Sequence, residues 1–467
     1  MKIFLESFGC QMNEYDSELI RSILRSHQHE FTDGLANAEA VLLNTCAIRE
    51  NAHKKIYYRL DELKGMKKRG HRIIVGVLGC MAQNLRQELA DRAPVVDLVA
   101  GPDSYKRLPQ LLASVRETGD RGFDFSLSEF ETYSDIAPQR VPGSNAWVAI
   151  MRGCDNFCTF CVVPYTRGRE RSRSLENIVN EVHRIAAEGF KQVTLLGQNV
   201  NSYCHEQNDF ADLMQRVAEV PGIRRVRFTS PHPKDFPRKL LRVMAENEKF
   251  CKHIHLPLQA GSNSVLERMN RTYTKQEFFD LVDEIRAVIP EISLTTDVIA
   301  GFCGETDEDF AHTVDVMQKV EFDSAFIFKY SERKNTIAVR KFPDDVPDEV
   351  KTQRVMYLNE IQREISLRRN RLEIGKMFEV VVEEPSKKNP QEWLGRTDHS
   401  KRVVFFDESA KPGDFVKVRI NEAGTNTLRG IVEDQPLRAL RVLANFTENN
   451  SACSTLYCTT QTCNTIS

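Results

Sequence analysis

Nowhere does this chain approach the run of about 18 apolar residues that a membrane-spanning helix needs. Its first residues, Met-Lys-Ile-Phe-Leu-Glu-Ser-Phe-Gly-Cys, lack the apolar core of a secretory leader, so a cytoplasmic protein without membrane contact is expected. Net charge is also scarce, with 64 Lys and Arg against 66 Asp and Glu, formally -2. No global positive field announces a nucleic acid, and any such partner must be read locally. Internal repeats of long period are absent, which excludes solenoids. At 41% hydrophobic and 28% charged residues, collagenous, low-complexity and wholly disordered chains are excluded as well. What the chain does have is cysteine, twelve in all. A chain this long has no need of disulfide stapling, so clustered thiols in a reducing compartment suggest metal.

The 467 residues are about three ordinary domains. Apolar runs at 3–8, 41–44, 73–78 and 95–99 alternate with helical stretches and predict a parallel α/β domain over 1–116. Residues 117–139 lose all period and read as a linker. From 140 to 372, strands at 148–151, 193–196, 225–228, 253–258, 293–299 and 325–328 alternate with helices and predict a partial (β/α)6 barrel, with its chemistry at the carboxyl ends of the strands. A helix over 348–371 leaves that barrel. Residues 373–437 turn to short strands between Pro and Gly, as in a small antiparallel β-barrel of OB-like type. The tail, 438–467, is polar and expected to be poorly ordered.

Cys154-Asp-Asn-Phe-Cys158-Thr-Phe-Cys161 follows the first barrel strand. Three thiolates on a cubane leave one iron open, and an open iron binds something exogenous. A structural zinc site short of its fourth ligand is the alternative. This spacing resembles the cluster motif of radical S-adenosylmethionine (radical SAM) enzymes. The flanking Ala146-Trp-Val-Ala-Ile-Met-Arg-Gly-Cys154 and Val162-Val-Pro-Tyr-Thr-Arg-Gly168-Arg-Glu-Arg-Ser-Arg173 resemble the methylthiotransferase branch of that superfamily.

The first domain supplies an independent signal. Cys10, Cys46 and Cys80 each follow a predicted strand, and a parallel sheet brings its carboxyl edges together near a switch point. A second three-thiolate cluster is expected there. Phe8-Gly-Cys10, Asn44-Thr-Cys46-Ala-Ile-Arg-Glu-Asn-Ala52 and Leu78-Gly-Cys80 are similar to the auxiliary-cluster motifs of methylthiotransferases. Cys204, Cys251, Cys303, Cys453, Cys458 and Cys463 carry no such support.

Loops at the remaining strand ends, with Gly197 and Gln198, with Gln259, Gly261 and Ser262, and with Gly301, are candidate cofactor contacts by the same resemblance. Two departures stand out: Cys303 where most relatives have Pro, and Lys334-Asn335 where relatives have Pro-Gly. The alternating Arg167, Arg169, Arg171 and Arg173 are candidate phosphate contacts at the mouth of the site. The third domain resembles TRAM, an RNA-binding module, although residues 373–434 hold ten Lys or Arg against twelve Asp or Glu.

Leu195-Leu-Gly-Gln-Asn-Val-Asn-Ser-Tyr203 and Arg227-Phe-Thr-Ser-Pro-His-Pro233 resemble the tRNA-modifying subgroup of MiaB type, the tRNA-2-methylthio-N6-dimethylallyladenosine synthases. The resemblance implies two [4Fe-4S] clusters, on Cys154, Cys158 and Cys161 and on Cys10, Cys46 and Cys80. It also implies two S-adenosylmethionine, one as methyl donor and one as radical source, and methylthiolation of C2 of isopentenyladenosine at tRNA position 37. Implied partners are the tRNA, an electron donor such as flavodoxin or ferredoxin, and an iron-sulfur assembly or carrier protein, with the chain a monomer. The same chemistry on threonylcarbamoyladenosine or on a ribosomal-protein aspartate is the near alternative. A non-enzymatic iron-sulfur RNA-binding redox sensor is the distant one, which deoxyadenosine formation would exclude.

Overall fold

The computed structural model describes residues 1–47 and 50–433, with backbone alone for 50–53 and 235. The polar tail with Cys453, Cys458 and Cys463, the last residues assigned to the third domain, and part of the motif after Cys46 lie outside the described residues.

The first unit is a parallel sheet of β1 (Lys2–Phe8), β2 (Glu30–Phe31), β3 (Ala40–Thr45), β4 (Ile74–Gly79), β5 (Leu98–Ala100) and β6 (Gly122–Asp124), in the order β2-β1-β3-β4-β5-β6. Every β3 residue is buried, because helices cover both faces of a parallel sheet. Leu42 packs under helices Gln11–Ser26 and Leu108–Thr118, while Val41 and Leu43 face the helix Glu50–Lys68. The chain departs in both directions from β1, so the switch point lies between β1 and β3. Strand β6 falls inside the stretch read as linker. Gly and Asp at its ends carry no strand signal, and its pairing with β5 supplies what propensity does not.

The second unit contains β7 (Ala146–Ala149), β8 (Met151–Arg152), β9 (Arg171–Ser172), β10 (Gln192–Leu196), β11 (Cys204–His205), β12 (Asn208–Asp209), β13 (Arg225–Phe228), β14 (His253–His255), β15 (Ser293–Ala300) and β16 (Ser324–Lys329). The six barrel strands form two parallel halves, β13-β10-β7 and β14-β15-β16, while β8–β9 and β11–β12 are small antiparallel pairs. A parallel bridge between Val226 and Phe250 joins the halves. The outward strand faces carry one continuous core that includes Val193, Val226, Ile254, Leu294 and Val298. Helix Asp348–Arg371 leaves this barrel over the range read from the sequence.

The third unit closes a barrel of β17 (Met377–Pro385), β18 (Trp393–Arg396), β19 (Arg402–Phe405), β20 (Phe415–Ala423) and β21 (Leu428–Val432), in the order β17-β18-β19-β21-β20. All its pairs are antiparallel except β19 with β21. It stoppers the amino-terminal end of the larger barrel. Arg225 donates to the carbonyls of Arg396 (3.0 Å) and Glu379 (2.9 Å), Arg227 donates to Thr397 O, and Lys401 pairs with Asp323 at 2.7 Å.

The first unit bridges the gap between the barrel's end strands. Helix Gln11–Ser26 lies against β7, and beyond β16 Lys334 pairs with Glu88 while Asn335 donates to Asn84 O at 3.3 Å. Lys334 and Asn335 thus make a contact between domains. Asn335 takes the left-handed backbone (φ 72°) that a glycine would take there.

Candidate metal centres

Cys10, Cys46 and Cys80 stand at the carboxyl ends of β1, β3 and β4, the first two flanking the switch point. Gly9 makes their approach possible. It has φ 136°, and a Cβ there would lie 2.3 Å from the Cys46 Cβ. Hydrogen bonding with Cys46 brings the Cys10 thiol down to about 6, against the opposing effect of burial. The third thiol, Cys80, is buried and accepts from Arg167 Nε at 3.1 Å.

The second set lies across the domain boundary, on the loop after β8. Segment 268–271 clamps that loop: Thr159 N donates to Met269 O (3.0 Å), Asn270 Nδ2 to Asn156 O (3.1 Å), and Arg271 Nη1 to Cys158 Sγ (3.4 Å). Burial pushes the Cys154 thiol up to about 11 and Cys161 up to about 12, so both stay protonated near neutrality until a cation engages them. Among the described residues no group of three or more His, Cys, Asp or Glu is arranged to hold one metal ion. A cubane takes each thiolate on a separate iron, a wider arrangement than a single-ion site.

The candidate cofactor loops surround this second set, and packing explains much of their composition. A Cβ on Gly197 would lie 2.7 Å from Met151, on Gly261 2.5 Å from His312 O, and on Gly301 2.3 Å from Lys351. Ser262 Oγ donates to Asp309, and Gly261 N to Thr313 Oγ1 at 2.9 Å. Gln259 links to β15, its N donating to Asp297 O and its O accepting from Ile299 N, both 2.8 Å. Gln198 is different: its Oε1, like Asn199 Oδ1, is buried with no partner. Three thiols and two orphaned amide oxygens, on the loops that follow neighbouring strands, suit a cluster with one open iron and a polar cofactor. Glu305 accepts from Gly301 N and Phe302 N, and burial raises its carboxyl to about 7. Cys303 is buried beside Tyr330.

The arginine run does something other than meet phosphate. Arg167, Arg171 and Arg173 are buried and committed to carboxylates: Arg167 to Asp16 (2.7 Å), Arg171 to Asp103 (2.9 Å) and Arg173 to Glu181 (2.6 Å). Arg173 also donates to Tyr15 Oη at 3.1 Å. Since Asp16, Asp103 and Tyr15 belong to the first unit, the alternation bolts the two domains together and offers no phosphate surface. Arg169 alone is exposed, paired with Asp155 at 2.7 Å.

Sequence reading missed three features. Arg271 and Asp16 act through partners far away in the chain, and no local pattern marks them. On the barrel's inner face, β16 directs Phe326 and Phe328 into the lumen, 56% and 45% exposed, while Ala325 and Ile327 pack outward. Beside them His255 Nε2 lies 3.2 Å from Asp297, and its ring is 6.0 Å from that of Phe326. Large aromatics alternating with outward apolar residues were the available signal.

Residues 148–317 match the radical SAM superfamily, 2–101 the uncharacterized protein family UPF0004, and 371–432 the TRAM domain. A tRNA-2-methylthio-N(6)-dimethylallyladenosine synthase of Phocaeicola vulgatus is 48% identical over 436 residues, 92% of this chain and 95% of its own. Synthases of the same name from Chloroherpeton thalassium and Porphyromonas gingivalis are 46% and 45% identical over 92% and 93% of this chain, covering 95% and 96% of theirs. This chain belongs to that family. It is a radical SAM enzyme of the tRNA methylthiotransferase type, and its cofactors are [4Fe-4S] clusters and S-adenosylmethionine. The radical S-adenosylmethionine methyltransferase TsrM of Kitasatospora setae shares the fold, with TM-score 0.53 at 14% identity over 70% of this chain and 72% of its own.

Proposed function

We propose that this methylthiotransferase acts on C2 of N6-isopentenyladenosine at tRNA position 37, giving 2-methylthio-N6-isopentenyladenosine from two S-adenosylmethionine. The observation that carries the reading is the pair of three-cysteine sets on either side of one domain interface. One open cluster suffices for radical formation, and a second implies a further task, the handling of sulfur. When bound, the clusters and cofactor supply a carbon radical, a methyl group and the transferable sulfur.

In this reading Cys154, Cys158 and Cys161 hold the cluster that meets the cofactor, and Cys10, Cys46 and Cys80 hold the auxiliary one. Gln198 orients the cofactor by the oxygen it leaves unpaired. The loops of Gly197, of Gln259, Gly261 and Ser262, and of Gly301 shape its walls. Phe326 and Phe328 give the adenine a stacking face in a lumen that the first and third domains shield from water. Arg169, exposed and held only by a surface pair with Asp155, is the one arginine of its run placed to meet the tRNA backbone. The domain limits 1–116, 140–372 and 373–437, a cytoplasmic location, a monomeric state, and delivery of electrons and clusters by a flavodoxin or ferredoxin and an iron-sulfur carrier complete the proposal.

The test is nucleoside mass spectrometry of isopentenylated tRNA after anaerobic incubation with reconstituted protein, dithionite and S-adenosylmethionine. A methylthio increment on isopentenyladenosine is expected. Deoxyadenosine formed without that increment would move the acceptor to threonylcarbamoyladenosine or a protein aspartate. No deoxyadenosine at all would overturn the reading.

A further inference from the structure

Arg167 lies six residues after Cys161, at the end of the short helix Val163–Arg167 that follows one cysteine set, yet its Nε donates to Cys80 Sγ of the other set at 3.1 Å. Its Nη2 donates to Asp16 at 2.7 Å, and the same carboxylate accepts from Arg152 at 2.6 Å. Two fully buried guanidiniums therefore share one carboxylate, and the hydroxyl that Tyr105 adds to Asp16 at 3.2 Å is neutral. Arg167 Nη1, together with Arg152 Nε and Nη1, is buried with no partner. Uncompensated positive charge in a buried site is strongly unfavourable unless an anion answers it. A cubane on three thiolates is such an anion, and each electron added deepens its negative charge.

We infer that Arg167 is a positioning residue for the auxiliary cluster, fixing Cys80 and raising the cluster's reduction potential by a charge-assisted hydrogen bond delivered from the short helix that follows the other cysteine set. Hydrogen bonds to the sulfurs and nearby charge set the potentials of such clusters, and partners behind the ligands orient them. The guanidinium favours the reduced state, because the electron taken up meets a fixed cation. Arg271 stands in the same relation to Cys158, at 3.4 Å. The two thiol sets thus each carry one buried arginine, but only Arg167 crosses between domains. The inference rests on the assignment of Cys10, Cys46 and Cys80 proposed above.

The experiment uses the full chain with Cys154, Cys158 and Cys161 replaced by Ala, reconstituted anaerobically so that one cluster remains. Iron and sulfide analysis first establishes about four of each per chain. Midpoint potentials then come from dithionite titration followed by electron paramagnetic resonance. Arg167→Met is expected to shift the potential negative, Arg167→Lys to shift it less, and the exposed control Arg238→Met to leave it unchanged. Loss of iron from Arg167→Met, with circular dichroism retained and Arg167→Lys still loaded, would equally support the anchoring role. Potentials of both Arg167 variants equal to the parent's at full iron would overturn it. A parent that binds no iron would instead overturn the cysteine assignment itself.

Discussion

Glycine 9 has the narrowest tolerance of any residue beside the auxiliary thiols. At φ 136° and with the Cys46 Cβ 2.3 Å from where its own would lie, it admits no side chain. Gly9→Ala is expected to lose the auxiliary cluster and keep the other, which iron analysis and electron paramagnetic resonance of the reconstituted protein check. Glu18 tests a different buried group. Burial raises its carboxyl from 4.5 to about 8, and Oε2 has no partner. An acid whose folded value is raised binds its proton more tightly when folded, so its contribution is complete below about 4.5 and disappears as pH rises through 8. Glu18→Gln should therefore raise the apparent Tm at pH 8.5 relative to the parent and leave it nearly unchanged at pH 4. The gathering of six cysteines into two sets of three at strand ends was legible because spacing and strand ends announce it locally. The destinations of Arg167 and Arg171 were not, because their carboxylates lie 151 and 68 residues away. An alternating charge run looks the same whether it is solvated or buried.

Elements with a strong period were legible to within a few residues, including the helix Asp348–Arg371 and the six barrel strands. The two-residue strands β2, β9, β11 and β12 were not, nor were β6 and β18. β6 and β18 are short, contain Gly, and exist because a neighbouring strand offers a ladder. Strand β16 was found, but its inner face was not, since exposure of Phe326 and Phe328 is a property of the open lumen. Phe326→Ala should change stability by less than about 0.5 kcal/mol, as for an exposed side chain. It should lower methylthiolation of tRNA about tenfold through lost stacking while deoxyadenosine formation persists. Urea unfolding and nucleoside analysis check the two halves.

The three domains form one object because charges are buried between them. Asp323 accepts from Lys401 (2.7 Å), Arg369 (3.3 Å) and the Leu294 amide (3.0 Å) where the small barrel meets the large one. Asp323→Ala leaves the buried Lys401 with only the more distant Glu373 carboxylate, at 3.8 Å, and should cost about 3 kcal/mol, measured by urea unfolding followed by fluorescence. Hydrogen exchange should rise first in β18 and β19, where the docked face lies. None of this assembly could be read in advance, since Lys401 and Asp323 are 78 residues apart and unremarkable alone.

With Arg225 and Arg227 tied to the small barrel's carbonyls, the amino-terminal end of the large barrel is covered, which leaves the opposite end, on the cysteine side, as the way in. Anything that enters must leave by the same way. A small cofactor seated in the barrel below the nucleic acid is then expected to load before it and to exchange only after the nucleic acid has withdrawn. Stopped-flow chases should show cofactor release slowing when tRNA is present, as in a queue with a single door.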